Sequence, residues 1–273
     1  MSLFERIGID LGRKLSTEDG IAWAAANNVH HVDSQIDVAP NALATMLERA
    51  PAIRAAAEHH GISLALHTLS AVNIAEISPF MSEAVDQYLR TYMDVAVAAG
   101  ASWIVVHAGY HFTDDYEIRR SASLKRLKRA ADYAEKVGAT LLLENMNREP
   151  DDAEVKYLGT TIEECQYYFA NLQSEHLRWS FTANHAHLWP EGIDGFLDAL
   201  DLGRCSEVRL ADCRGHVEEH LQPGDGTIDF GAMFKRIEGM GFEGYYTNAF
   251  GSLDDMLRGR EFLVAAAEAA GAA

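Results

Sequence analysis

The chain is short of positive charge, short of cysteine and without a long apolar run, and each shortage excludes something. Its 273 residues hold 23 Lys+Arg against 41 Asp+Glu, a formal net charge of −18. Such a field repels phosphate backbones and anionic bilayer surfaces, so neither nucleic acid nor a membrane is an expected partner. The three cysteines, Cys165, Cys205 and Cys213, are odd in number and match no zinc spacing; they read as free thiols in a reducing compartment. No run of 18 apolar residues occurs, and the N-terminus lacks a cationic segment followed by an apolar one. A cytoplasmic location is therefore expected. A dinucleotide fingerprint is also missing, since the first strand candidate ends Asp10-Leu11-Gly12-Arg13-Lys14.

What is present is a regular alternation. Hydrophobic residues make up 48% of the chain, enough for a full core. Eight apolar runs read as strands: Ile7–Leu11, His31–Ile36, Ser63–Thr68, Ser102–Ala108, Thr140–Asn145, Leu177–Thr182, Glu207–Asp212 and Gly244–Ala249. Several lack polar alternation, as strands covered on both faces do. The stretches between them are helical in pattern, with Gly61, Gly100 and Gly138 placed as C-caps before a strand, and with Ser16, Thr161 and Ser252 placed as N-caps. Eight strand–helix units without a composition break predict one domain, residues 1–273, folded as a single (β/α)8 TIM barrel; a doubly wound sheet is the runner-up. The irregular stretches Ala71–Ser82, Gly109–Ser121, Asn147–Thr160 and Arg214–Asp229 each follow a strand, which places them on the face where barrels carry their sites, at the C-terminal ends of the strands.

Polar residues sit where those strands end. Strand three ends at His67, strand four at His107, strand five at Glu144-Asn145, strand six at Thr182 with His185 beyond it, strand seven carries Arg209 and Asp212, and strand eight ends Thr247-Asn248. A single such residue is commonly a satisfied structural group, but six converging ends suggest a polar site. Glu144, behind three leucines, needs a metal, a cation or a proton; the plain alternative is an ion pair with Arg209. Trp189 and His187 line the mouth or merely pack. Gly224-Asp225-Gly226 reads as a turn ahead of a helix beginning near Asp229. His30, His31, His59 and His60 are placed as non-catalytic, and Phe80, Tyr88 and Tyr92 as core.

These residues carry a resemblance. From Leu64-Ala65-Leu66-His67 through Asn73, Val105-Val106-His107-Ala108-Gly109-Tyr110, Leu143-Glu144-Asn145, His185-Ala186-His187 and Glu219-His220-Leu221-Gln222-Pro223-Gly224-Asp225-Gly226-Thr227-Ile228-Asp229-Phe230, the chain resembles the xylose isomerase-like barrels. These include sugar phosphate isomerases/epimerases, inosose dehydratase-like proteins and the family 2 apurinic endonucleases. The resemblance implies one divalent metal held by a Glu ending strand five, an Asp three residues before a His on strand six, a His on strand seven and a Glu on strand eight. Glu144 matches the first. Thr182, Arg209 and Asn248 stand at the other three, so the central metal site is expected to be absent; a guanidinium repels a metal. Two further sets known from the endonuclease branch persist as residue types: His67, His107 and Glu144, and His185, Glu218 and His220, with Glu where Asp is usual.

The resulting expectation is a sugar isomerase/epimerase-like enzyme that abstracts a proton next to a carbonyl on a small polyol or keto-sugar. Glu144 is the candidate base, His185 the second acid/base and Arg209 the positive group. His67, His107, Thr182, Asn248 and Trp189 are the candidate substrate contacts. One divalent metal, zinc or manganese, at a non-standard site and a metal-free mechanism both stay open. So do a dehydratase or lyase and a non-catalytic small-molecule-binding barrel; a DNA-repair endonuclease is disfavoured by charge. Homo-oligomers are common among such barrels.

Overall fold

A computed structural model describes residues 1–272 of the chain. Among the described residues ten strands occur: β1 Ile7–Gly12, β2 His31–Ser34, β3 Ser63–His67, β4 Trp103–Val106, β5 Tyr110–Phe112, β6 Leu141–Glu144, β7 Val155–Tyr157, β8 Leu177–Thr182, β9 Cys205–Leu210 and β10 Tyr245–Asn248. Eight of them close into a parallel barrel in the order β1-β10-β9-β8-β6-β4-β3-β2. Helices Thr17–Ala26, Leu43–His60, Pro79–Ala99, Tyr116–Val137, Ile162–Asn171, Gly192–Ala199, Phe230–Gly239 and Leu253–Ala269 follow the barrel strands in turn. The chain is thus a (β/α)8 barrel, and its eight barrel strands coincide with the eight apolar runs of the sequence.

Local signals account for many of the boundaries. Three helices end at Gly61, Gly100 and Gly138 with φ of 65°, 70° and 80°, a left-handed conformation that favours glycine. Ser16, Thr161 and Ser252 accept hydrogen bonds from the backbone N–H three residues on. β4 and β6 are buried throughout, because the barrel interior covers one face and the helices the other. The three cysteines are free and buried. Among the described residues no helix is long and apolar enough to cross a membrane.

Two expectations need correction. Residues 109–121 and 147–160 are not wholly irregular: β5 and β7 pair antiparallel across the barrel mouth, Tyr110 opposite Tyr157. Three-residue strands carry too little period-two signal to be seen in sequence. Phe80 is not core but 89% exposed, whereas Tyr92 is buried and Tyr88 partly so. At about 100° per helical residue, twelve residues from Tyr92 rotate Phe80 roughly 120° off the buried stripe.

Side chains alternate in and out along each barrel strand. Ala65, Val105 and Leu142 form part of an apolar interior layer. Above it the next inward positions are polar: Asp33, His67, His107, Glu144, Ser180, Thr182, Glu207, Arg209 and Thr247, joined to one another by hydrogen bonds. A barrel closed below by packing and polar above concentrates its chemistry at the C-terminal mouth.

Candidate active site at the barrel mouth

His67 is the last residue of β3, Glu144 the last of β6, and His107 follows β4, so all three sit at the C-terminal ends of three neighbouring barrel strands. His67 Nε2 lies 3.0 Å from His107 Nε2. Glu144 Oε2 lies 3.2 Å from His107 Nε2 and 3.5 Å from His67 Nε2. Bonds of about 2.0–2.1 Å to a tetrahedral zinc would put neighbouring donors about 3.3 Å apart, close to each side of this triangle. His67 Nδ1 lies 3.1 Å from Asp33 Oδ2, which can only accept; the proton therefore sits on Nδ1 and Nε2 carries the lone pair when the ring is neutral.

Without a cation this triangle sets lone pairs against one another. Burial disfavours a charged His67, but the hydrogen bonds it donates to Asp33 and Glu144 outweigh it and raise its pKa to about 10. Burial lowers that of His107. Burial alone would raise the Glu144 carboxyl, yet the hydrogen bonds of His107 and His67 hold it well below the usual range. One proton on His67 thus stands in for the charge a metal would bring.

A second trio lies on the same mouth. The five-residue helix Ala183–His187 after β8 presents His185, whose Nδ1 donates to Asn145 O at 2.8 Å. His220 Nδ1 donates to Ala249 O at 2.9 Å. Both Nε2 atoms therefore face Glu218 Oε1, at 3.2 Å and 3.1 Å. The hydrogen bonds from His185 and His220 prevail over burial and lower the Glu218 carboxyl to about 2. His220 is raised, chiefly by its bond to Glu218. Glu144 links the trios: its Oε1 lies 3.5 Å from His185 Nδ1 and accepts from Thr182 Oγ1 at 2.5 Å. Both trios bring three ligand atoms together as a metal site requires.

Arg209 faces inward as the sequence register predicts, but Glu144 is not its salt-bridge partner. Its guanidinium pairs with Asp33, with Asp10 at 2.9 Å and with Glu207 at 3.2 Å. Burial opposes its charge, and Glu207, Asp33 and Asp10 more than restore it. Asn248 faces the other way: it is fully buried, and its side-chain amide donates to Met256 O on the outer helix Leu253–Ala269. This corrects the placement of Asn248 at the mouth, since strand alternation turns Thr247 inward, where its hydroxyl donates to Glu207 Oε1 at 2.6 Å. Trp189 lies with its ring 5.0 Å from the Arg148 guanidinium carbon, lining a cavity of about 280 Å³ with Tyr116, Lys156 and Tyr157 that none of the trio residues lines. A larger cavity of about 570 Å³ opens between the loops after β6 and β9 and reaches Glu218.

Asp10, Asp33 and Glu207 were missed in sequence. The available signal was the one that singled out Glu144: an acidic residue inside an otherwise buried strand. Asp212 faces away from Arg209 and gathers backbone N–H groups of the loop after β9. His31 packs at the opposite end of the barrel, 4.4 Å from the ring of Tyr245.

A family model described as xylose isomerase-like TIM barrel matches residues 21–265. An uncharacterized protein of Methanocaldococcus jannaschii is 24% identical over 191 residues, covering 67% of this chain and 68% of its own. Among solved structures, a D-tagatose 3-epimerase-like protein superposes with a TM-score of 0.77 at 18% identity, covering 95% of this chain and 97% of its own. D-psicose 3-epimerase of Clostridium cellulolyticum, solved with D-tagatose, gives 0.77 at 13% identity over 97% and 99%. The 3-keto-D-glucoside 4-epimerase of E. coli gives 0.76 at 15% over 96% and 99%.

Proposed function

Because the chain belongs to the xylose isomerase-like TIM-barrel family, we propose that it is a sugar isomerase/epimerase-like enzyme whose divalent metal, zinc or manganese, sits on His67, His107 and Glu144. The observation that carries this is the triangle of two imidazole nitrogens and a carboxylate oxygen, 3.0, 3.2 and 3.5 Å on its sides, with His67 backed by a buried carboxylate. The four-ligand centre that the family resemblance implies does not fit this chain. Thr182 spends its hydroxyl on Glu144, Arg209 supplies a fixed cation, and Asn248 faces the helices. Arg209 stands for the lost central metal as charge, neutralising the inward carboxylates Asp10, Asp33 and Glu207.

A divalent ion held by His67, His107 and Glu144 would supply Lewis acidity that makes the C–H beside a carbonyl more acidic. The remaining work belongs to side chains. His185, held through Nδ1 by Asn145 and paired through Nε2 with Glu218, forms with that carboxylate the unit that takes and returns the proton. Glu218 stabilises the imidazolium so formed, and His220 orients Glu218. Thr182 fixes one oxygen of Glu144, leaving the other to the histidines. The substrate is a small keto-sugar or polyol entering by the cavity that reaches Glu218.

The test combines metal analysis with exchange. Protein purified without chelator should carry about one equivalent of divalent ion, lost in Glu144→Gln, and should wash deuterium from D2O into D-tagatose next to its carbonyl. Water loss instead of epimerisation would indicate a dehydratase, which shares the first step. The replacement of the four-ligand centre favours a second reading, a non-catalytic binding barrel; absent metal together with absent exchange on ketoses would establish that reading and overturn the first.

A further inference from the structure

The floor of the barrel, at the end away from the trios, leaves polar groups without partners. Trp103 begins β4, Tyr245 begins β10 and His31 begins β2. Their rings cluster: His31 lies 4.4 Å from Tyr245 and 5.0 Å from Trp103, and Trp103 lies 6.1 Å from Tyr245. A cavity of about 390 Å³ opens against this cluster, with Trp103, Tyr245 and Phe242 among its apolar walls and Arg178, Ser206 and Glu243 as polar ones. No residue of either trio lines it. The N-terminal end of a barrel ordinarily serves stability. A purely structural floor would be closed by packing and have its charges paired, and this one is neither.

Three lining groups lack partners. Trp103 is 7% exposed, and its indole N–H finds no acceptor among the described residues. A buried donor left unmade costs free energy, and native chains rarely keep one. Arg178 donates through Nε to Ser206 Oγ at 2.6 Å and through Nη2 to Gly203 O at 3.0 Å, which fixes the guanidinium at the cavity wall. It pairs with no carboxylate among the described residues, although Asp+Glu outnumber Lys+Arg by 41 to 23. Glu243 is exposed and pairs with no cation among the described residues.

The three groups differ in kind, which narrows the ligand. A simple anion would satisfy Arg178 and be repelled by Glu243, and a simple cation the reverse. A zwitterion answers both, with its carboxylate on the Arg178 fork and its ammonium beside Glu243. The second carboxylate oxygen offers the acceptor that the Trp103 indole N–H lacks. The aromatic walls ask for a ring, which packs offset or edge-on against Tyr245, Phe242 and Trp103. A cavity of this volume is in the range that holds a small molecule.

We propose that the floor of the barrel is a second binding site, for a free α-amino acid with an aromatic side chain. The site lies at the opposite end of the barrel from the trios and does not depend on the isomerase/epimerase reading.

Calorimetric titration of the purified full chain with L-phenylalanine tests it, with 3-phenylpropionate, which lacks the ammonium group, as the comparison. Wild type should bind L-phenylalanine, and 3-phenylpropionate more weakly. Arg178→Ala should weaken L-phenylalanine roughly 10-fold or more, through loss of charge-assisted hydrogen bonds. Glu243→Gln should weaken L-phenylalanine by a similar factor while leaving 3-phenylpropionate no weaker than before. Glu243 is at the surface, so that variant decides the matter even should Arg178→Ala not fold. Absence of L-phenylalanine binding up to about 10 mM overturns the proposal. Binding that either folded variant leaves unchanged overturns it as well, since the ligand would then sit elsewhere. Equal affinity of wild type for 3-phenylpropionate removes Glu243 from recognition and overturns the amino-acid assignment. Absence of metal or of exchange on ketoses would sink the epimerase reading and leave this titration to be read on its own.

Discussion

Replacing Arg209 with methionine probes what the interior of the barrel mouth depends on. The side chain is 5% exposed and pairs with three carboxylates, of which Asp33 and Glu207 are fully buried. Removing the guanidinium leaves those carboxylates facing one another without a counter-charge. Breaking a buried ion pair in this one-sided way costs about 3–5 kcal/mol. At about 2–4 °C per kcal/mol for a chain of this size, the melting temperature should fall by roughly 6–20 °C. The effect must also depend on pH. With Arg209 present, the Asp33 carboxyl, opposed by burial but favoured by the guanidinium and His67, titrates far below its ordinary value. The stability this pairing contributes is present above the unfolded pKa and is lost as pH falls through the folded one. In the variant the same carboxyl is pushed upward and can regain a proton, so the gap between wild type and variant should be largest near pH 7.5 and narrow toward pH 5. Urea unfolding at both values, with the slope m checked for constancy, reads this directly. A loss under about 1 kcal/mol at pH 7.5, or a gap indifferent to pH, would refute the view of Arg209 as an internal counter-charge. It would then be free to bind substrate.

Other outcomes follow from the same geometry. His107→Ala removes one of three donors and should abolish tight metal binding in a titration, while His220→Ala, outside that trio, should leave the first equivalent in place. Asp33→Asn replaces the group that holds His67 Nδ1 and should weaken metal affinity about 10–100-fold without changing the ligands themselves. His31, which burial drives down to about 4 from 6.5, is neutral in the folded chain. Its contribution is complete above pH 6.5 and is lost as pH falls toward 4, about 3 kcal/mol in all. His31→Phe should therefore flatten the dependence of the urea midpoint on pH between 7 and 4.5; an unchanged slope would mean that the ring is already charged when folded.

The sequence by itself determined the barrel and much of the first trio. Eight apolar runs spaced by helices with glycine ends allow few architectures, because short strands covered on both faces need a helix after each to reach the next parallel strand. Polar residues at the ends of such strands must then meet at one mouth, and the family resemblance grouped His67, His107 and Glu144 among them. Tertiary structure alone decided the partners. Whether Glu144 met Arg209 or the histidines depended on strand stagger and on three acidic residues, Asp10 of β1, Asp33 of β2 and Glu207 of Arg209's own strand. A shift of one residue on β10 sent Asn248 outward and brought Thr247 inward, since the period of a strand is two and sequence boundaries are uncertain by more than one. Asp212, a polar residue at the end of the seventh strand, organises its loop because three N–H groups, the farthest sixteen residues along the chain, fold back onto it beside that of Cys213. That return path is not encoded in any local pattern.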